Sequence, residues 1–286
     1  VRSSAASECI RDRHINSAYK ISWIILILLF PVFGLTIYLL FGRTGAVSVM
    51  RKRFNSNLAL LRSYHAPLLA QRRALPYPDR TARNHAHYLQ TRAGYPAYDN
   101  TDVTFYGDTC AALEAQKEAL RSAEHFIFME YHAIEQAESF ERILNVLKDR
   151  AAHGVEVRIF YDDVGSICFI NHDFRKRMEE NDIACRVFNP IIPVLSVFMN
   201  NRDHRKILVI DGHTAFTGGI NLADEYINRK ERFGHWKDSA ILLRGEAVWS
   251  MTVMFLSMWD YCSGWEEDFD LFRPESMPRL PGSGWV

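Results

Sequence analysis

A long run without a charged residue, residues 21–42, limits what this chain can fold into. A helix needs about 20 apolar residues to cross a bilayer. Trp23 and Tyr38 lie toward the ends of the run, as aromatic residues do at membrane interfaces, and Pro31 predicts a central kink. The sequence therefore predicts a transmembrane or re-entrant helix over about 20–42. A helix buried in a globular core is the alternative.

Basic residues on the two sides of this run predict its orientation and the division of the chain. The flank after the run carries a modest excess of Lys and Arg: Arg11, Arg13 and Lys20 before it, Arg43, Arg51, Lys52 and Arg53 after it. Such residues concentrate on the cytoplasmic side, so the large C-terminal part is predicted to be cytoplasmic. We expect a membrane segment at 1–43, a juxtamembrane linker at 44–100 and one regular domain at 101–286. A first residue that is not methionine predicts that the chain is a fragment.

Composition excludes several classes of protein. Apolar residues make up 48% of the chain, which is enough for a sizeable core, and the formal net charge of zero gives no sign of nucleic-acid binding. The cysteines have no paired spacing, which argues against a disulfide framework or a zinc site and favours a reducing compartment. His85 and His87 have no acidic or thiol partner nearby, so no metal is predicted.

The pattern of apolar residues after residue 100 alternates between strands and helices. Predicted strands lie at 103–106, 125–131, 155–161, 184–188, 207–210, around 215 and at 240–243. Predicted helices lie at 110–123, 140–151, 174–181 and 248–262, and a further helix at 55–66 is expected to end before Pro67. This alternation predicts a layered α/β domain with a largely parallel or mixed sheet.

Polar residues flank the strand predicted at 207–210, although a buried strand needs none. His204 and Lys206 precede it and Asp211 follows it, in a spacing that occurs once in the chain. Side chains alternate across a strand, so His204 and Lys206 share one face if the strand starts at His204. Asp211 points to the other face, where we expect it to hold a turn or the neighbouring strand.

Residues that suit a phosphate group follow this strand. Gly218 and Gly219 allow the backbone to approach a bulky group, and the Asn221 amide donates hydrogen bonds. Asp238 is predicted to accept a hydrogen bond from Nδ1 of His204, which leaves Nε2 free to attack. The alternatives are a plain tight turn at 218–221 and an Asp238 that lies elsewhere, because its position rests on an assumed strand pairing.

Other residues are weaker candidates. Polar side chains at the ends of the second and third predicted strands are candidates for lining a pocket, with solvated turns as the alternative: Glu130, His132, Asp162 and Asp163. Glu225 and Glu130 are candidates for contacting the catalytic side chains without touching the substrate. The apolar stretch at 191–199 is predicted to be a lip that touches acyl chains or the bilayer surface, with a core-packed loop or short helix as the alternative.

The motif His204-x-Lys206-x4-Asp211 followed by Gly218-Gly219-x-Asn221 resembles the signature of the phospholipase D superfamily. The longer sequence from about residue 15 to 286, which includes the apolar N-terminal segment, resembles bacterial cardiolipin synthases. The resemblance implies a phospholipase D-like α/β domain with a mixed sheet behind a transmembrane helix. It also implies an enzyme of the bacterial inner membrane that joins two phosphatidylglycerol molecules into cardiolipin and releases glycerol. No metal or cofactor and no nucleic-acid partner is implied.

The resemblance also implies roles for individual residues. His204 matches the histidine that attacks the phosphodiester and forms a phosphatidyl-histidine. Lys206 and Asn221 match groups that hold the phosphate oxygens, and Asp238 matches the carboxylate that supports the histidine. Fixed cations and amides of this kind stabilise the charge that develops during transfer.

The sequence departs from the family in the number of motif copies, because that family carries two. His235 has Lys237 two residues on, but Leu242 stands where the aspartate belongs. We therefore expect the first of two catalytic halves, completed by a second half of a full-length chain or by a second copy across a twofold axis. Alone, the chain is expected to be inactive unless it dimerises. A phospholipase D that hydrolyses lipid, a dimeric single-motif nuclease and an inactive membrane module remain alternatives.

Overall fold

The computed structural model describes residues 17–39, 45–71, 79–167, 169–170, 173–190, 202–232, 234–264, 266–277, 279–280 and 286. The chain forms two compact units, Val1–Arg53 and Phe54–Val286. The apolar lip predicted at 191–199 lies outside the described residues.

The first unit contains two short helices, α1 (Ser17–Leu29) and α2 (Pro31–Ile37), that fold back on each other. The rings of Trp23 and Tyr38 meet edge to face with centroids 5.3 Å apart. Gly34 permits the close approach, because a Cβ there would lie 2.6 Å from the Leu26 carbonyl oxygen. The single helix predicted over 20–42 is thus broken at Pro31. Among the described residues no helix is long and apolar enough to cross a membrane, and the predicted transmembrane helix is not confirmed.

Helix α3 (Gly45–Ala70) carries the chain into the second unit, followed by α4 (Arg80–Tyr88) and a π-helical turn at Leu89–Ala93. The helix continues through Pro67, where the sequence predicts an end. A proline this close to the last turn removes few helical hydrogen bonds. Leu61 and His65 are buried, and the His65 ring bonds to the Gly94 carbonyl and the Ser250 hydroxyl. Much of the stretch that the sequence assigns to a linker therefore packs on the core.

Seven strands form one mixed sheet in the second unit. They are β1 (Thr101–Tyr106), β2 (Phe126–Tyr131), β3 (Glu156–Asp162), β4 (Ile183–Phe188), β5 (Lys206–Ile210), β6 (Thr214–Gly218) and β7 (Ala240–Gly245). Their order across the sheet is β1-β7-β6-β5-β2-β3-β4. The pairs β2–β3 and β3–β4 are parallel, and the other four pairs are antiparallel.

Helices cover both faces of the sheet and complete three layers. The helices of this part are α5 (Thr109–Arg121), α6 (Glu138–Ala152), α7 (Asp163–Ser166), α8 (Phe174–Glu179) and α9 (Val248–Ser263). Apolar side chains of α5, α6 and α8 pack on one face, and those of α9 pack on the other. The layered α/β prediction with a mixed sheet is confirmed, and each strand and helix predicted after residue 100 ends within about two residues of its prediction.

One buried carboxyl group on α9 makes stability depend on pH. Asp260 is 6% exposed, and its Oδ2 accepts a hydrogen bond from the Glu267 backbone N–H at 3.0 Å. Burial raises the pKa of Asp260 to about 6, and the Glu267 and Glu266 carboxylates add to the rise while Arg158 opposes it. The folded state therefore binds this proton more tightly than the unfolded chain. Stability falls as pH rises from about 4 to 6 and stays lower above that range.

We expect Asp260→Asn to stabilise the fold by about 1–2 kcal/mol at about pH 8. The asparagine oxygen still accepts from the Glu267 N–H, and the buried charge is gone. Thermal unfolding of both proteins at about pH 8 and at about pH 5 measures the effect, which should shrink at the lower pH. An equal change at both pH values would contradict the prediction.

Candidate active site

Most of the predicted site residues meet at one edge of the sheet. Strands β2, β3 and β6 end at this edge, and the antiparallel strands β5 and β7 begin there. Side chains from separate parts of the chain therefore come together: His132, Asp162, Asp203, His204, Lys206, Asn221 and Asp238. Ligand sites of α/β sheets lie at strand ends of this kind.

His204 lies just before β5 and is exposed to solvent, so a substrate can reach its ring. Partial burial lowers its pKa, the positive charge of Lys206 and then His132 lower it further, and the carboxylates of Asp203 and Asp162 oppose the shift. The imidazole is therefore neutral near pH 7. A neutral imidazole keeps the lone pair that a nucleophile needs.

Lys206 is the first residue of β5 and is 5% exposed. Its Nζ donates a hydrogen bond to the His204 carbonyl oxygen at 2.7 Å. Burial lowers the pKa of Lys206, and the carboxylates of Asp203 and Asp238 oppose this. This hydrogen bond holds the ammonium group of Lys206 beside the backbone of His204. The other N–H groups of Nζ remain for a ligand.

Glycine is needed at the last residue of β6 and at the residue after it, because another segment comes very close. A Cβ on Gly219 would lie 2.0 Å from Oδ1 of Asp238, and one on Gly218 would lie 2.3 Å from the Ser239 carbonyl oxygen. Asp238 accepts hydrogen bonds from the Ser239 backbone N–H at 2.8 Å and from Nε1 of Trp236 at 3.3 Å. The hydrogen bond predicted between Asp238 and His204 stays a prediction.

Asn221 is 3% exposed and joins its loop to the end of β2. Its Oδ1 accepts a hydrogen bond from the Ala133 backbone N–H at 3.1 Å, which fixes the amide orientation. Leu222 next to it bonds to the Ala133 carbonyl and pairs with Ile134. Because the oxygen is occupied, the Nδ2 hydrogens are the part of the amide that remains for an anion.

Asp211 lies at the opposite end of β5 from His204, in a left-handed conformation with φ of 49°. Its carboxylate accepts hydrogen bonds from the backbone N–H groups of Glu124, His125 and Phe126, each at 2.8 Å. This arrangement ties the β5–β6 turn to the start of β2. It matches the turn-holding role that the position of Asp211 in the strand predicts.

Glu130 and Glu225, which the sequence predicts to contact the catalytic residues, are each paired with an arginine. Glu130 is fully buried, with Oε1 2.7 Å from Nη2 of Arg205, so it does not line an open pocket. Burial raises the pKa of Glu130 well above its ordinary value, and Arg205 opposes the rise. Glu225 pairs with Arg232 at 3.5 Å. Arg205 also bonds to Asp203 at 3.1 Å, so the Glu130–Arg205 pair is linked to the segment that carries His204.

Two aspartates position the segment before His204. Asp162 is fully buried, accepts from the Gly165 backbone N–H with Oδ1 and accepts from the Asp203 backbone N–H with Oδ2, both at 3.0 Å. The sequence singles out Asp162 by its place after a strand but gives no local signal for Asp203. Asp163 begins the short helix α7. Within the described residues no cluster of His, Cys, Asp and Glu has the make-up of a metal site.

Family profiles match two parts of the chain. Residues 4–43 match the phospholipase D-nuclease N-terminal family, and residues 117–259, half of the chain, match the family described as cardiolipin synthase, PLD-like domain. The chain belongs to the cardiolipin synthase family of the phospholipase D superfamily. The resemblance drawn from the motif at 204–211 is confirmed.

Individual cardiolipin synthases agree with this assignment. Cardiolipin synthase 2 of Bacillus anthracis is 33% identical over 264 residues, which cover 89% of this chain and 49% of that protein. Cardiolipin synthase of Geobacillus thermodenitrificans is 34% identical over 251 residues, with coverages of 86% and 49%. An uncharacterized protein of Streptococcus mutans is 38% identical over 269 residues, with coverages of 93% and 58%. The chain thus spans about half the length of the curated relatives it matches.

Proposed function

We propose that this chain is one catalytic half of a cardiolipin synthase that transfers a phosphatidyl group between two phosphatidylglycerol molecules. One observation carries the proposal: an exposed imidazole of lowered pKa, His204, lies on the same sheet edge as the Lys206 ammonium and the Asn221 amide. A nucleophile beside fixed cationic and amide donors suits attack on an anionic phosphodiester.

In the first step, the free ring nitrogen of His204 attacks the phosphorus of one phosphatidylglycerol. A P–N bond forms, the P–O bond to glycerol breaks, and the leaving oxygen takes a proton from an acid of the second half-site. Lys206 and the Nδ2 of Asn221 hold the oxygens of phosphorus while charge develops there. Gly218 and Gly219 allow Asp238 and Ser239 to approach closely.

In the second step, the glycerol hydroxyl of another phosphatidylglycerol attacks the phosphatidyl-histidine. A new P–O bond forms, the P–N bond breaks, and the hydroxyl proton returns to the group that served as the acid. The products are cardiolipin and one glycerol, and His204 is restored. Asp238 is proposed to support the imidazole through these steps, as the family resemblance implies.

The full site is proposed to include a second half, supplied by a longer form of the chain or by a second copy. Curated relatives of about twice the length support this, and this half alone is expected to be inactive unless it dimerises. The uncharged run at residues 21–42 is the feature that supports attachment to the bacterial inner membrane. The excess of basic residues after residue 42 supports a cytoplasmic catalytic domain.

The test is an assay of the full-length protein on vesicles that contain phosphatidylglycerol labelled in phosphate and in the head-group glycerol. We expect labelled cardiolipin and free glycerol in equal amounts. Phosphatidic acid without cardiolipin would mean that water is the acceptor and that the protein is a phospholipase D. Cleavage of DNA with no lipid product would favour the single-motif nuclease.

A further inference from the structure

A second histidine contacts the proposed nucleophile. His132 directly follows β2, and His204 lies two residues before the start of the antiparallel strand β5, so both rings lie at the same edge. Their centroids are 4.7 Å apart and the rings are tilted by 54°. The catalytic steps above make no use of His132.

The imidazole of His132 is held in one orientation. Its Nδ1 lies 2.7 Å from the Asp203 carbonyl oxygen. A carbonyl oxygen only accepts, so Nδ1 carries a hydrogen and donates it. Asp203 is itself fixed, because its backbone N–H donates to Asp162. Nε2 is therefore the nitrogen of His132 that remains to meet a ligand.

The surroundings of His132 leave it little freedom to move. A Cβ on Gly165 would lie 2.8 Å from Nε2 and Cε1 of His132, so this glycine gives the ring its space. The Ser166 hydroxyl donates to the His132 carbonyl at 3.3 Å. The next residue, Ala133, donates its N–H to Asn221, one of the proposed phosphate ligands. Such fixed second interactions are what a preorganised site requires.

The distance between the two rings decides which role His132 can take. In an in-line transfer, the leaving oxygen stands across the phosphorus from the attacking atom. An acid for that oxygen must therefore lie on the far side of the phosphorus from His204. A ring in contact with His204 lies on the near side instead. From there it reaches the oxygens of phosphorus that neither attack nor leave.

We propose that His132 is a further catalytic residue, whose Nε2–H, when the ring is protonated, donates a hydrogen bond to a nonbridging oxygen of the phosphoryl group at His204. The proposal rests on the phosphoryl chemistry proposed above, but not on the identity of the lipid. His132 also contributes to lowering the pKa of His204, after burial and Lys206. Asp203 and Asp162 are the acidic groups that face His204 and oppose this.

Two substitutions separate contact with phosphate from support of the fold. His132→Asn keeps a donor near Nδ1 for the Asp203 carbonyl and removes Nε2. His132→Gln places a donor near Nε2 and loses the bond to Asp203. His153→Asn is the matched control, because the exposed His153 makes the same bond with Nδ1, at 2.7 Å to the Asp149 carbonyl, away from the site.

Two measurements on the full-length protein in detergent test the proposal: binding of inorganic phosphate, and titration of His204 by histidine NMR. We expect His132→Asn to weaken phosphate binding by about 10-fold and turnover by about 100-fold. We also expect the pKa of His204 to rise in that variant. His132→Gln should recover part of the phosphate affinity, and His153→Asn should match the parent protein.

Unchanged phosphate affinity and an unchanged His204 titration in folded His132→Asn would overturn the proposal and leave His132 a structural role. Failure of the proposed function is distinguishable. A parent protein that makes no cardiolipin, but whose phosphate binding still depends on His132, would retain this inference and reject the lipid assignment.

Discussion

Replacing His204 with glutamine is expected to lower the rate of phosphatidyl transfer by at least about 10⁴-fold, because the variant has no imidazole to form the P–N bond. Glutamine preserves size and polarity at an exposed position, so the fold should be as stable as before. The measurements are the initial rate of cardiolipin formation from labelled phosphatidylglycerol and the acid-labile label trapped on the protein.

A matched control is His213→Gln. His213 is also exposed, lies at the other end of the β5–β6 pair and bonds to the Thr214 hydroxyl, so the rate should not change. The parent rate should decline in acid only below the ordinary histidine pKa of about 6.5, since the lowered pKa of His204 keeps it neutral to lower pH. A His204→Gln enzyme with about a tenth of the parent activity would place the nucleophile elsewhere.

Asp211→Ala is expected to destabilise the second unit by about 4 kcal/mol, because three backbone N–H donors would lose a charged acceptor. Alanine also disfavours the positive φ at this position. Chemical denaturation measures the loss. Activity per folded molecule should be nearly unchanged, because Asp211 lies at the end of β5 away from His204.

Asp211→Asn refines this prediction. Asparagine tolerates the left-handed conformation and keeps one oxygen, so we expect roughly half the loss seen with alanine. The control is Asp149→Ala, which removes an exposed aspartate from α6 and should change stability little. If Asp211→Ala instead stayed as stable as the parent but lost turnover, Asp211 would belong to the chemistry and not to the turn.

Local periodicity explains why the sequence predicts the second unit well. Strands such as β2 and β5 are short apolar runs, and α6 carries an apolar stripe that matches the helical period. Helix ends at prolines are predicted less well. Pro31 separates two helices, whereas α3 continues through Pro67 because the loss is small near its end.

The site is harder to predict, because its geometry depends on strand pairing. The spacing of His204 and Lys206 predicts the proposed nucleophile and its cation, and the pair of glycines predicts a place of close approach, which the structure has at Asp238 and Ser239. No local sequence pattern predicts that Glu130 is buried and paired with Arg205, or that His132 contacts His204. Those contacts follow from the antiparallel pairing of β2 with β5, which joins distant parts of the chain.

The pairing of β2 with β5 affects when the site residues come together during synthesis. Strands β2, β3 and β4 with α6 form local crossover units, and β5, β6 and β7 form a run of antiparallel neighbours. The β2–β5 pairing joins these two parts, and His132 and His204 lie at one end of it. Contacts between distant segments form late because loop closure opposes them. A half-folded chain therefore has not yet brought His132 and His204 together, and the proposed reactivity toward phosphodiesters is expected only with the finished fold.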